Sequence, residues 1–166
     1  MTSIRAFLII LVGVAGLLVS QSPSADAAVT PRSVLLKRIN EVRHAHGLPA
    51  LRASKALTKV AAKHSYSMIR GRYFAHTSPG GSTLQKRVLA SGFVDGYSWT
   101  AGENLAWGTG NRALPRYVVK GWMNSPTHRA ILMTSGFRYV GISRYCGTFL
   151  GYRDACVWTA DFVGRS

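Results

Sequence analysis

Apolar positions recur at helical spacing through the first two thirds of the chain and alternate near its end. Leu35, Ile39 and Val42 lie about one turn apart behind Thr30 and Pro31, and Gly47 stops the run. Thr is a good N-cap and Pro suits a first helical turn, so a helix is predicted from this point. Residues 48–51 read as a short connector. Ser54 then caps a second helix, whose inward stripe is Leu57, Val60, Ala61, His64 and Met68 and whose end is Gly71. A loop follows through Phe74, His76, Ser78, Pro79, Gly80 and Gly81, and residues 82–90 form a third helix with Leu84 and Val88 inward. Residues 97–101 are aromatic and β-prone, and they run into the stretch GENLAWG. Residues 114–124 are helical again, and Ser125-Pro126 starts a further helical turn. Residues 139–145 and 157–163 alternate like two strands. Helices come first and strands last, without βαβ alternation. The predicted fold is therefore α+β, a three-layer α-β-α sandwich with a central antiparallel sheet.

The first residues have a different pattern. Arg5 precedes an uncharged apolar run over residues 6–19, and Ala25-Asp26-Ala27 is a small-x-small sequence. That order is expected of a secretory signal peptide over residues 1–27, leaving a single secreted domain at 28–166 with its core at about 34–163. The apolar run is shorter than the about 20 residues of a membrane span. No twin arginine and no nearby Cys accompany it, so general secretion without a lipid anchor is expected. The mature protein is expected to be a monomer with no transmembrane segment.

Charge narrows the partners. The chain has 21 Lys and Arg against 6 Asp and Glu, a formal net charge of +15. Residues 1–27 hold one base and one acid, so their loss leaves this balance intact. A secreted domain so charged is drawn to polyanions such as teichoic-type polymers, anionic lipid headgroups, acidic polysaccharide or nucleic acid. The bases are scattered without a run of five or six, and no specific nucleic-acid partner is expected. Cys146 and Cys156, in an oxidising compartment, are expected to bridge and close the base of a hairpin-like loop. Such a ring is worth roughly 3 kcal/mol.

Few residues can do chemistry. His44 and His46 sit at the end of the first helix, where a cation complements the dipole. His64 on an apolar stripe reads as a buried, hydrogen-bonded histidine. His76 and His128 lie in turns rich in Ser, Thr and Pro, FAHTSPGG and NSPTHRA, from which a side chain can reach a cleft. Glu103 stands out because acids are so scarce. Two imidazoles and a carboxylate, His76, His128 and Glu103, form a chemically sound zinc set, although three segments must meet to build it. Glu103 has no evident carboxylate partner, which argues against a two-carboxylate glycosidase. No GxSxG elbow, P-loop, HExxH or CxxC occurs.

The blocks HSYSMIRGRYFAHTSPGG, AGENLAWG, VVKGWMNSPTHRAILM, FRYVGIS and VWTADFV occur in this order. Together they resemble the CAP superfamily of cysteine-rich secretory proteins, antigen 5 and plant pathogenesis-related 1 proteins, in its compact bacterial form with a single SCP-like domain. The resemblance implies an α-β-α sandwich with a surface cleft. By motif, the cleft residues are His76, Glu103 and His128, with Asn104 holding the turn beside Glu103 through side-chain to backbone hydrogen bonds and Trp107 packing. Some members bind zinc or another divalent cation there, so His76, Glu103 and His128 are the candidate metal ligands, with no ion required for the fold. Many eukaryotic members add a second cleft glutamate where this chain has Asn124 and Ser125. Bacterial members often carry Asp-Gly after the Ser-Pro of the first His block, where this chain has Gly80-Gly81. The function implied is a non-enzymatic extracellular binding module for anionic cell-surface, lipid or wall ligands. The alternative is a zinc-dependent hydrolase acting on peptide or cell-wall substrate.

Overall fold

A computed structural model describes residues 29–166. The expected signal peptide lies outside the described residues. Helix α1 (Pro31–Ala45) starts at the expected cap, where the Thr30 hydroxyl accepts from the Ser33 N–H at 3.2 Å. Strand β1 (Arg52–Ala53) and helix α2 (Lys55–Gly71) follow, and Ser54 caps α2 on the Leu57 N–H. Helix α3 (Leu84–Leu89) is capped by Thr83, and each such cap is worth about 1 kcal/mol. Strand β2 (Trp99–Gly108), helices α4 (Pro115–Asn124) and α5 (Pro126–Leu132), and strands β3 (Tyr139–Phe149) and β4 (Tyr152–Arg165) complete the described chain.

The four strands lie in the order β1-β3-β4-β2. The three long strands are antiparallel as expected, while β1 adds a two-residue parallel pair beside β3, which makes the sheet mixed. Side chains alternate across a strand. On β4, Trp158, Ala160 and Phe162 pack with Leu35 and Ile39 of α1, Trp122 of α4 and Leu132 of α5. The opposite face carries Val157 and Val163, which meet Met68 and Leu57 of α2. The three layers are thus α2 and α3, the sheet, and α1 with α4 and α5.

Two glycines show how tightly the layers close. A Cβ on Gly141 of β3 would stand 2.1 Å from the Leu57 carbonyl carbon, so α2 lies on bare strand backbone there. A Cβ on Gly102 of β2 would meet Ile131 and Phe137 at 3.1 Å. Cys146 and Cys156 face each other across β3 and β4 and are disulfide-bonded, as the sequence predicts. The strands continue past them to a turn at Leu150 and Gly151, so the bracketed segment is strand as well as loop. Among the described residues no helix is long and apolar enough to cross a membrane.

Candidate functional site

The GEN stretch is not a turn. Gly102, Glu103 and Asn104 are consecutive residues of β2, an edge strand, and they pair with Phe162, Asp161 and Ala160 of β4. Alternation sends Glu103 and Asn104 to opposite faces of the sheet. Glu103 points toward α2 and α3, and Asn104 toward α5. Both are buried.

Four groups converge on Glu103. His76 Nδ1 donates to Oε1 at 2.8 Å, and Arg87 Nη2 donates to Oε2 at 2.6 Å. His64 Nε2 lies 3.8 Å from Oε2, and Asp161 faces Glu103 in register. Arg87 is itself fixed by the carbonyls of His76 at 3.0 Å and Ser82 at 2.9 Å. His64 is the buried, bonded histidine the helical stripe predicts. Its Nε2 donates to the Ala75 carbonyl at 3.0 Å, which leaves Nδ1 to accept from the Ser78 hydroxyl at 3.2 Å.

The electrostatics follow from burial and neighbours. Burial pushes the Glu103 carboxyl up, but the His76 hydrogen bond and the Arg87 charge outweigh it and hold the group below the ordinary carboxylate range. Asp161 goes the other way. Full burial and the adjacent Glu103 raise it well above the ordinary aspartate value. No N–H or hydroxyl reaches either of its oxygens. Nothing there stabilises a charge on Asp161, so its protonated form is favoured beside the Glu103 carboxylate. Burial lowers His64, and burial and then the charge of His76 lower His128.

His128 approaches from the other layer. It stands on α5 with Nδ1 on the Ser125 hydroxyl at 2.8 Å, and its carbonyl accepts from Asn104 Nδ2 at 3.0 Å. The Asn104 side chain therefore ties β2 to α5 rather than holding a turn. A groove of about 520 Å³ runs beside His128 along the free edge of β2, floored by Leu105 and Trp122 and rimmed by Arg112 and Lys120. Trp107 packs, with ring centroids 5.5 Å from Phe149 and 5.6 Å from Tyr152.

Residues 36–162 match the profile of the Cysteine-rich secretory protein family, CAP. The chain belongs to this family. A relative in Bacillus subtilis, the uncharacterized protein YkwD, is 33% identical over 148 residues, which is 88% of this chain and 51% of that protein. The uncharacterized membrane protein YlbC of the same organism is 34% identical over 136 residues, 82% of this chain and 35% of its own length. The chain thus spans about half of one relative and about a third of the other. An extracellular protein with an SCP domain from Bacillus anthracis superposes with TM-score 0.68 at 28% identity, over 81% of this chain and 40% of that one. An outer surface protein of Borrelia burgdorferi superposes with TM-score 0.69 at 24% identity, over 82% of this chain and 93% of that one, and shows the same fold.

In this chain His76 is joined to Glu103 directly, and His128 lies across the strand edge. Among the described residues, no group of three His, Cys, Asp or Glu stands close enough to hold a metal. Both Glu103 oxygens are already hydrogen-bonded, so the three-ligand zinc set does not fit as the side chains stand. The donors left uncommitted are Nε2 of His76 and Nε2 of His128.

Two site residues escape the sequence reading. Asp161 is the carboxylate partner of Glu103 that no motif reveals. Its signal was a lone acid at an alternating position of the apolar strand VWTADFV. Arg87 had no such signal on α3. Only the need of a buried carboxylate for a cation would have pointed to it.

Proposed function

We propose that this CAP domain is a non-enzymatic extracellular binding module that engages anionic cell-surface, wall or lipid ligands. The observation that carries the reading is the fate of the acids. Of the five acidic residues in 29–166, Glu41 is paired with Lys37, Glu103 is buried against Arg87, and Asp161 is buried. Among the described residues, Asp95 and Asp154 alone remain exposed and free of ion pairs, against a formal charge of +15. Exposed charge of one sign attracts polyanions and is screened within about 10 Å at 0.1 M salt. The leader pattern at 1–27 and the extracellular description of the Bacillus anthracis protein support an extracellular site of action.

Hydrolysis has less support. A carboxylate acting as general base must be able to reach solvent or substrate. The Glu103 side chain is 2% exposed and holds His76 and Arg87 with its two oxygens. It acts on His76 as a positioning group, fixing the ring with Nε2 outward. A divalent cation belongs to this reading only as a ligand of the His76 and His128 Nε2 atoms, with no catalytic step routed through it.

The test is retention of the protein, from residue 28 on, by insoluble wall material and by anionic vesicles during washes of rising salt. Release between 0.1 and 1 M sodium chloride (about 10 to 3 Å of screening length) is expected. Retention that ignores salt, or release of labelled fragments from the wall, would overturn the reading.

A further inference from the structure

We propose that α2 and α3 form a binding track for a linear phosphodiester polymer whose repeat is a small polyol. This rests on the electrostatic reading above and gives it a place on the molecule. Helix α2 has the sequence KALTKVAAKHSYSMIRG, with no acid. Lys55, Lys59 and Lys63 are spaced four residues apart, so they form one stripe about 12 Å long, and all three are exposed. Like charges at this spacing disfavour a helix, and nothing on α2 offsets them.

The stripe borders two cavities. Between α2 and α3 lies a cleft of about 410 Å³, lined by Lys59, Lys63, Lys86 and Arg87 together with the hydroxyls of Ser82 and Ser91. On the other side of Lys59 lies a cavity of about 550 Å³, where Arg32 and Lys55 flank apolar walls from α1 and β3. Lys59 lines both, so the two adjoin at this side chain. No acid lines either cavity. The nearby acid Glu103 is buried and held by Arg87.

The shape selects the class of anion. A stripe of about 12 Å exceeds one phosphate group and suits successive charges on a chain. The surface is a cleft between helices, which admits a thread better than a planar bilayer. Neither cavity has an aromatic residue in its lining, so nothing is present on which nucleic-acid bases could stack. A phosphodiester chain without bases fits all three observations.

The test is titration of the secreted protein with lipid-free poly(glycerol phosphate) over a salt series. Lys59→Ala/Lys63→Ala is compared with Arg129→Ala/Arg153→Ala, which removes the same charge from exposed positions elsewhere. Circular dichroism checks that each variant is folded. The lysine variant should bind about 25-fold more weakly, about fivefold per lysine. Its slope of log K against log salt should flatten by about 1.4. The arginine variant should stay within about threefold of the parent, since a basic side chain strengthens binding fully only when it lies close to the bound anion.

Equal losses in the two variants would overturn the track while leaving general charge attraction standing. DNA of matching charge bound as tightly, with the same lysine dependence, would overturn the polyol assignment. Phosphatidylglycerol vesicles bound through these lysines while the polymer is ignored would overturn it in favour of a membrane surface. Polymer binding that ignores salt would overturn the electrostatic reading itself.

Discussion

Glu103→Gln removes one negative charge at a place where Arg87 has few other ways to be neutralised. The Arg87 side chain is 9% exposed and that of Glu103 is 2% exposed, so the pair is shielded from water. Removing one member of such a pair costs about 3–5 kcal/mol, because the survivor is left charged and buried. The low end applies here, about 3 kcal/mol, because Asp161 faces the same position. With Glu103 neutral, one cause of the raised Asp161 value disappears, and Asp161 can ionise and supply the missing charge. For a domain of this size the loss is roughly 10 °C in melting temperature.

The partner variant gives the sharper test. Burial and the Glu103 charge favour the protonated form of Asp161, so Asp161→Asn at pH 7 puts a neutral side chain where a charge is disfavoured. It should leave stability unchanged within about 1 kcal/mol or raise it. In the Glu103→Gln background the same change removes the only substitute anion and should cost a further ~1–2 kcal/mol. Urea unfolding of the four proteins, followed by far-ultraviolet circular dichroism at pH 7, reads this directly. A loss above about 2 kcal/mol from Asp161→Asn alone would mean that Asp161 is ionised in the native state. A loss below about 1 kcal/mol from Glu103→Gln would mean that Arg87 is solvated without it. Either result refutes the reasoning.

The remaining expectations concern pH and packing. The raised Asp161 binds its proton more tightly folded than unfolded. Its contribution is fully present below the ordinary value of 3.8 and is lost as pH rises, by at most about 1.4 kcal/mol per unit, so urea midpoints of parent and Asp161→Asn should diverge in favour of the variant from pH 4 to 7. His64 and His128 are lowered, so their contribution is present above 6.5 and is lost as pH falls through their folded values; His64→Gln should flatten that acid limb. Cys146→Ala/Cys156→Ala opens the bridged ring and should cost roughly 3 kcal/mol in the same denaturation assay. Gly141→Ala drives a methyl into the α2 backbone at Leu57 and should cost at least ~3 kcal/mol or prevent cooperative unfolding, where a loss under about 1 kcal/mol would show that α2 can shift.

The legible parts of the fold were those set by local rules. Thr30, Ser54 and the Pro residues at 31 and 126 mark helix starts because capping and φ restriction act within a few residues. The strand pair at 139–145 and 157–163 was visible in its alternation, but its true length was hidden, since Gly147 and Arg153 do not read as strand until the disulfide and the register hold them there. Strand β1 was not legible, because two residues carry no periodicity. For the candidate site, the family motifs singled out His76, Glu103 and His128, of which the structure joins His76 and Glu103 directly, while composition had only marked Glu103 as unusual. Arg87 and the role of Asp161 depend on pairing between segments 16 residues apart and across a strand register, which no local pattern encodes.

The placement of Glu103 and Asn104 on an edge strand explains how one short stretch can build a cleft. Successive residues of a strand face opposite layers. Glu103 fastens β2 to the loop bearing His76 and to Arg87 of α3, and Asn104 fastens it to the backbone of His128 on α5. Had the two faced the same layer, only one histidine could have been tied to the strand. Because, among the described residues, no strand pairs with the outer side of β2, the two imidazoles can approach around its free edge. Arg87 then marks the boundary between two surfaces. One edge of its guanidinium neutralises Glu103, while its side chain lines the α2–α3 cleft beside Lys59, Lys63 and Lys86. A buried carboxylate at this point does more than orient His76. It neutralises a cation that would otherwise add a full charge to the cluster formed by the α2 lysines and Lys86.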